Sequence, residues 1–182
     1  MREHDAGGAD TGAEPQRWVP AHTLRLVLGD QLNPLHSWFV TPNASVVYVL
    51  MEVRAETDYV LHHAQKILAI FAAMRAFAAR LRQAGHRVRY VSIDTPSNRQ
   101  SITANLEALM VHYRAKWLEY QAPDEWRLDE LLEQWCAAQP FASRMVGSEH
   151  FLTEREDVAG CFDARAAWRM EVFYRHMRRR HR

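Results

Sequence analysis

The residues of this 182-residue chain whose types and spacing bear on chemistry gather in three places. Gly29, Asp30 and Gln31 follow one β-rich run, and Glu52 follows a second. Glu56, Tyr59, His62, His63 and Lys66 stand at three- and four-residue spacings that lead into Ile70. Carboxylate and amide oxygens accept hydrogen bonds, while Tyr59 and Ile70 offer faces to a flat ring. Such a set suits a neutral ligand rich in N–H and hydroxyl donors. It suits an anionic nucleotide poorly, because Asp30, Glu52 and Asp94 put carboxylates at three strand ends. The glycines beyond the first twenty residues, Gly29, Gly85, Gly147 and Gly160, form neither G-x-G-x-x-G nor a Walker loop.

Plainer readings of the same residues stay open. Gly29-Asp30 also reads as a strand-end turn. His62 and His63 are adjacent, so they do not share a helix face, and no second ligand follows four residues on; no metal site is expected. Tyr59 and Ile70 fall on a side that core packing would use equally well. No Ser/His/Asp arrangement or paired carboxylate stands out, so no catalytic residue and no hydrolytic site is assigned.

The elements that must position these groups follow from periodicity. Thr23–Leu28, Ser45–Met51, Arg87–Ile93, Lys116–Tyr120 and Ser143–Val146 read as strands, the second apolar enough to be buried on both faces of a parallel sheet. Glu56–Gly85 reads as one long helix, started by Thr57 or Asp58 and closed by Gly85. Its face is Tyr59, His63, Ile67, Ile70, Met74, Phe77 and Leu81, and its Ala-rich register is expected against the sheet. Ser101–Arg114 is a second helix with Ile102, Leu106, Leu109, Met110 and Tyr113 inward. A third, Glu125–Ala138, is capped by Asp124 and packs through Trp126, Leu128, Leu131, Leu132 and Trp135. Ala164–Arg182 is a last, Arg-rich helix. Strands alternating with helices predict an α/β fold, a doubly wound, mainly parallel five-stranded sheet, whose ligands bind beyond the carboxyl ends of the strands.

Composition narrows the class. The net charge of +1 hides an asymmetry: the last eighteen residues carry +6, and the rest of the chain −5. Cys136 and Cys161 form no C-x-x-C, which argues against a disulfide framework or a zinc or iron–sulfur site and fits a reducing cytoplasm. No apolar run approaches the roughly 20 residues of a membrane span. Residues 1–20 lack apolar periodicity and read as a disordered leader, followed by an α/β domain over 21–163 and the helix 164–182.

Five motifs then fall in one order: GDQL (Gly29–Leu32), MEVRAETDYVLHHAQKI (Met51–Ile67), FAAMRAFAARLRQAGHRVRY (Phe71–Tyr90), PDEWR (Pro123–Arg127) and MEVFYRHMRR (Met170–Arg179). Together they resemble the iron–sulfur bacterial photolyase and cryptochrome family, the photolyase-related proteins of prokaryotic (6-4) photolyase type, from about Thr23 to the end. The resemblance implies an N-terminal Rossmann-like domain holding an antenna chromophore, 6,7-dimethyl-8-ribityllumazine. It implies that Gly29, Asp30, Gln31, Glu52, Glu56, Tyr59, His62, Lys66 and Ile70 line the antenna pocket. FAD and a four-cysteine [4Fe–4S] cluster would belong to a C-terminal helical domain docked on the last helix, a domain this chain is expected to lack. DNA would be the partner of the full-length parent, in light-dependent repair or blue-light sensing, and this chain by itself is expected to be a truncated, non-catalytic piece. Trp168, Phe173, Tyr174 and Met177 are then expected to leave an exposed apolar patch. Two other readings remain: a stand-alone module for another pterin-like or nucleoside-like metabolite, and a nucleic-acid binder acting through the Arg-rich tail.

Overall fold

The computed structural model describes residues 19–153, 155–161 and 169–181. Five parallel strands, β1 (Thr23–Leu26), β2 (Val46–Met51), β3 (Val88–Val91), β4 (Trp117–Gln121) and β5 (Ala142–Val146), form one sheet in the order β3-β2-β1-β4-β5. Side chains alternate across it and split the core in two. Leu24, Leu26, Val47, Val49, Leu118 and Tyr120 face α3 (Ile102–Tyr113) and α4 (Trp126–Ala137). Val46, Tyr48, Leu50 and Val88 face α2 (Ala64–Gln83) and Trp38, which a short 3-10 turn, Ser37–Phe39, tucks beneath the sheet. Every residue of β2 is buried, as expected for a central strand covered on both faces. The fold is α/β, doubly wound and Rossmann-like, as the sequence pattern predicts.

Three local expectations are corrected. The long helix does not begin at Glu56. A one-turn helix, α1 (Arg54–Thr57), comes first, then an irregular segment, and α2 starts at Ala64 with His63 as its cap, Nδ1 accepting from the Gln65 N–H. Thr57 and Asp58 are occupied with α1: the Thr57 hydroxyl faces the Arg54 carbonyl and Asp58 Oδ1, and Asp58 Oδ2 lies 3.8 Å from Arg54. Gly85, at φ +89°, does close α2, and the His86 N–H returns to the Leu81 carbonyl.

The Ala-rich register of α2 faces solvent. Ala69, Ala72, Ala73, Ala76 and Ala79 are exposed, and Met74, Phe77, Ala78 and Leu81 make the contact with the sheet. Larger side chains win that face because each removes more apolar area from water.

On α4, Leu128, Leu132 and Cys136 are buried and Trp135 packs partly against them, but Trp126 and Leu131 are exposed. Asp124 is not the cap: Glu125 holds that position without a side-chain bond to the helix N–H groups, and Asp124 Oδ2 instead meets His150 Nδ1 at 3.2 Å. α3 behaves as predicted, with Ile102, Leu106, Leu109, Met110 and Tyr113 buried and the Ser101 hydroxyl accepting from the Ala104 N–H.

Beyond the sheet lie α5 (Arg155–Cys161) and α6 (Met170–Arg180), joined by an Arg180–Asp157 ion pair of 2.9 Å. Arg155 ties α5 back to Asp129 on α4 at 2.6 Å. Met170, Val172 and Tyr174 are exposed on α6, and Phe173 and Met177 are half-buried. Trp168 and the expected first residues of that helix, with the leader up to residue 18, lie outside the described residues.

Candidate functional site

A cavity of about 260 Å³ opens beyond the carboxyl ends of β1 and β2, between α2 and the start of α4. The chain leaves β1 toward β2 on one side and later returns to β4 on the other, so the cavity sits where the winding direction reverses. Ligands bind at such points in open α/β sheets, because diverging connections leave a crevice there. Its apolar wall comes from Leu26 and Leu28, Met51 and Val53, Ile102, Leu128, and Ile67, Ile70, Phe71 and Met74 of α2. Its polar groups are Asp30, Glu56, Thr57, Tyr59, His62, Lys66 and Glu125.

Gly29, in the turn after β1, packs against α2. A Cβ there would stand 3.1 Å from both Ile70 Cγ2 and Met74 Sδ, so any larger residue would press these side chains toward the cavity. Asp30 follows it into the wall. Burial pushes the Asp30 carboxyl above its ordinary 3.8, a rise that Asp124 and Glu125 reinforce and that its own N–H and His150 oppose. Asp30 is nevertheless an exposed residue, so its carboxyl is only partly desolvated and stays open to a donor supplied by a ligand.

Across the cavity, His62 and Lys66 meet with Nδ1 and Nζ 3.4 Å apart, a contact that suits a His62 tautomer with its proton on Nε2. The His62 ring stands edge-on to Tyr59, centroids 5.1 Å apart. Ile70 and Tyr59 are 36% and 46% exposed, so neither is the core residue that helical periodicity allows. Both turn toward the cavity. Tyr59 can do so because residues 58–63 are not helical.

Of the nine residues predicted from sequence, seven stand on this wall: Gly29, Asp30, Glu56, Tyr59, His62, Lys66 and Ile70. Gln31 and Glu52 do not. The Gln31 side chain is fully buried, its Oε1 accepting from the Leu28 N–H and its Nε2 donating to the Gln121 and Ala122 carbonyls, which staples the loop after β1 to the end of β4. Glu52 turns toward α2 and β3. It accepts from Arg75 Nε and Nη2 at 2.7 and 2.8 Å, from the Tyr90 hydroxyl, and from the Ile93 N–H at 2.9 Å. Burial opposes ionisation of Glu52, but these donors outweigh it and hold its pKa below the ordinary 4.5. Position at a strand end brings a residue to the rim; it does not decide which way the side chain turns.

Among the polar groups, sequence reasoning missed Thr57 and Glu125 on the wall and, behind Glu125, Arg127. The Arg127 guanidinium donates to Glu56 at 2.7 and 3.1 Å and to Glu125 at 2.9 and 3.2 Å, and its carbon lies 4.1 Å from the Tyr59 ring centre. Both carboxylates raise its pKa. The sequence signals were the PDEWR motif itself, Pro123–Arg127, and within it the acidic residue two positions before the arginine. Among the described residues no group of three or more His, Cys, Asp or Glu side chains could hold a metal ion. Nor is any described helix long and apolar enough to cross a membrane.

Comparison with known proteins adds two findings. The family model described as "Deoxyribodipyrimidine photo-lyase-related protein" matches residues 25–182. The chain is 35% identical over 158 residues to the (6-4) photolyase of Agrobacterium fabrum (strain C58 / ATCC 33970), a match covering 86% of this chain and 31% of that protein. The chain therefore spans about a third of that relative's length.

Proposed function

Because the chain belongs to the deoxyribodipyrimidine photo-lyase-related protein family, we propose that its cavity binds an antenna chromophore of the 6,7-dimethyl-8-ribityllumazine type. The observation that carries this reading is the composition of the wall. An apolar slot bounded by Ile70 and Met74 is combined with the acceptors Asp30 and Glu56 and one donor cation, Lys66. A flat, uncharged bicycle with a polyol tail matches both halves. Ring carbonyls would take Lys66, while ring N–H and ribityl hydroxyl groups would donate to Asp30 and Glu56. The volume lies just below the roughly 300 Å³ at which small-molecule sites commonly begin, which favours a compact, planar occupant.

When bound, the chromophore would absorb light and pass the excitation on. The residues of this chain would serve it by excluding water and holding the ring in one orientation. An antenna site needs no acid or base poised for proton transfer, and none is assigned on this wall.

The activity of the whole protein is part of the same proposal. A light-dependent reaction on DNA, with FAD and a [4Fe–4S] cluster, would require a helical domain in addition to these residues. The two cysteines of this chain cannot supply four cluster ligands. The exposed Met170, Val172 and Tyr174 of α6 would face that domain.

The test is a titration of the purified chain with 6,7-dimethyl-8-ribityllumazine, followed by absorption and fluorescence, with Ile70→Trp in parallel. Saturable binding with a spectral shift, abolished by Ile70→Trp, is expected. Absence of binding to the wild-type chain, or equal binding by the variant, would overturn the assignment of this ligand to this cavity.

A further inference from the structure

Three wall residues reach the cavity from two separate pieces of chain: Glu56 and Tyr59 from α1 and the irregular segment that follows it, and Glu125 from the residue preceding α4. Gln100 holds the start of this segment, its side chain and its carbonyl accepting from the Arg54 and Ala55 N–H groups, but those bonds do not tie Glu56 or Tyr59 to Glu125. α1 is one turn long, and Val60 and Leu61 are 48% and 103% exposed, so residues 58–63 have little apolar burial of their own. One side chain spans all three. Arg127, in the first turn of α4, forms a two-pronged ion pair with Glu56, a second with Glu125, and a stack against Tyr59. It does not itself line the cavity.

The geometry of this contact suits arginine. A planar guanidinium can pair two carboxylates through its edges while presenting a face to a ring, which an ammonium cannot do. Glu56 and Arg127 are 26% and 36% exposed, so the pairing is partly shielded from water. α4 is anchored to the sheet through Leu128 and Leu132, so the guanidinium has a fixed base.

We infer that Arg127 is the positioning residue of the cavity: it clamps residues 54–63 to α4 and so sets the place of Tyr59 and Glu56 around the ligand. The clamp deepens the chromophore reading and rests on it only for the identity of the ligand. Removing the guanidinium frees the segment, lets Tyr59 swing into solvent, and leaves Glu56 and Glu125 repelling each other beside the opening.

The test compares the full chain with Arg127→Ala and Arg127→Lys in two measurements. Amide hydrogen exchange is read without ligand, and ribityllumazine titration is read as Kd and as induced circular dichroism of the bound chromophore. R127A is expected to speed exchange over residues 54–63 at least tenfold while amides of β1 and β2 keep their rates. It is also expected to raise Kd at least tenfold and to change the dichroism, with R127K intermediate on each. If R127A does not fold, R127K carries the test and must still speed exchange in 54–63 and raise Kd at least threefold. Unchanged exchange and Kd in R127A would overturn the clamp and leave the ligand assignment standing. If the wild-type chain binds no ribityllumazine yet R127A loosens 54–63 selectively, the clamp holds and the ligand assignment falls.

Discussion

Glu52 has no exposed surface, yet its ion-pair partner, Arg75, is 56% exposed. The arginine lies on α2 and reaches over the helix edge to the end of β2, placing two N–H donors on a carboxylate that the fold has removed from water. A buried carboxylate is tolerated only while it is paired and hydrogen-bonded. Arg75→Ala leaves the Tyr90 hydroxyl and the Ile93 N–H in place but removes the compensating charge. The expected cost is about 1–3 kcal/mol, read as a fall in Tm of several degrees. A Tm within a degree of wild type would show that water reaches Glu52 after all.

The same carboxylate makes stability depend on pH. Its folded pKa lies below 4.5, so the folded state releases this proton more readily than the unfolded chain does. The stabilisation is fully present above the unfolded value and is lost as pH falls through the folded one. Thermal unfolding followed from pH 7 to pH 3 should show wild type losing its advantage in that acid window. Glu52→Gln should be less stable at neutral pH and flatter with acidification. Parallel curves for the two proteins would contradict the assignment.

Asp30 carries the opposite sign. Burial raises its pKa above 3.8, so the folded chain holds the proton more tightly and the ionised form costs stability at neutral pH. That cost is relieved as pH falls through the folded pKa and is gone below the unfolded one. Asp30→Asn should raise Tm slightly at pH 7, lose this gain below about pH 3.8, and weaken ribityllumazine binding because an acceptor is lost. A gain that persists at pH 3 would mean that burial of the charge is not its source.

Gly29→Ala tests the contact between the turn after β1 and α2. Its methyl would stand 3.1 Å from Ile70 Cγ2 and Met74 Sδ. The flexible methionine end can yield, so the fold should survive at a cost of about 1 kcal/mol. The displaced side chains narrow the slot, and Kd for ribityllumazine should rise several-fold by titration. Adding Met74→Ala should recover part of that loss. Wild-type affinity in Gly29→Ala would place the ring away from this wall.

Much of the fold is legible in the residue pattern alone. A buried parallel strand must be apolar on both faces, so Val46–Met51 announces itself, and α3 shows its inner face because Ile102, Leu106, Leu109, Met110 and Tyr113 match the helical period. Where two local solutions compete, the pattern is silent. Thr57, Asp58 and His63 are all competent caps, and the first two are taken by α1. Alanine fits a sheet-facing or a solvent-facing register equally well, and Trp126 shares its helix with larger apolar faces that the sheet already covers.

What the sequence determined by itself is the order of strands and helices, and with it the rim to which Asp30, Glu52, Glu56, Tyr59 and Lys66 are delivered, because periodicity and strand-end position are local properties. What tertiary structure decided is the direction in which each side chain turns at that rim. Glu52 is drawn away by Arg75, Gln31 is claimed by the Gln121 and Ala122 carbonyls, and Glu56 and Tyr59 are gathered by Arg127 from far downstream. Those partners lie far apart in the chain, and only the closed fold brings a donor within reach of each buried acceptor.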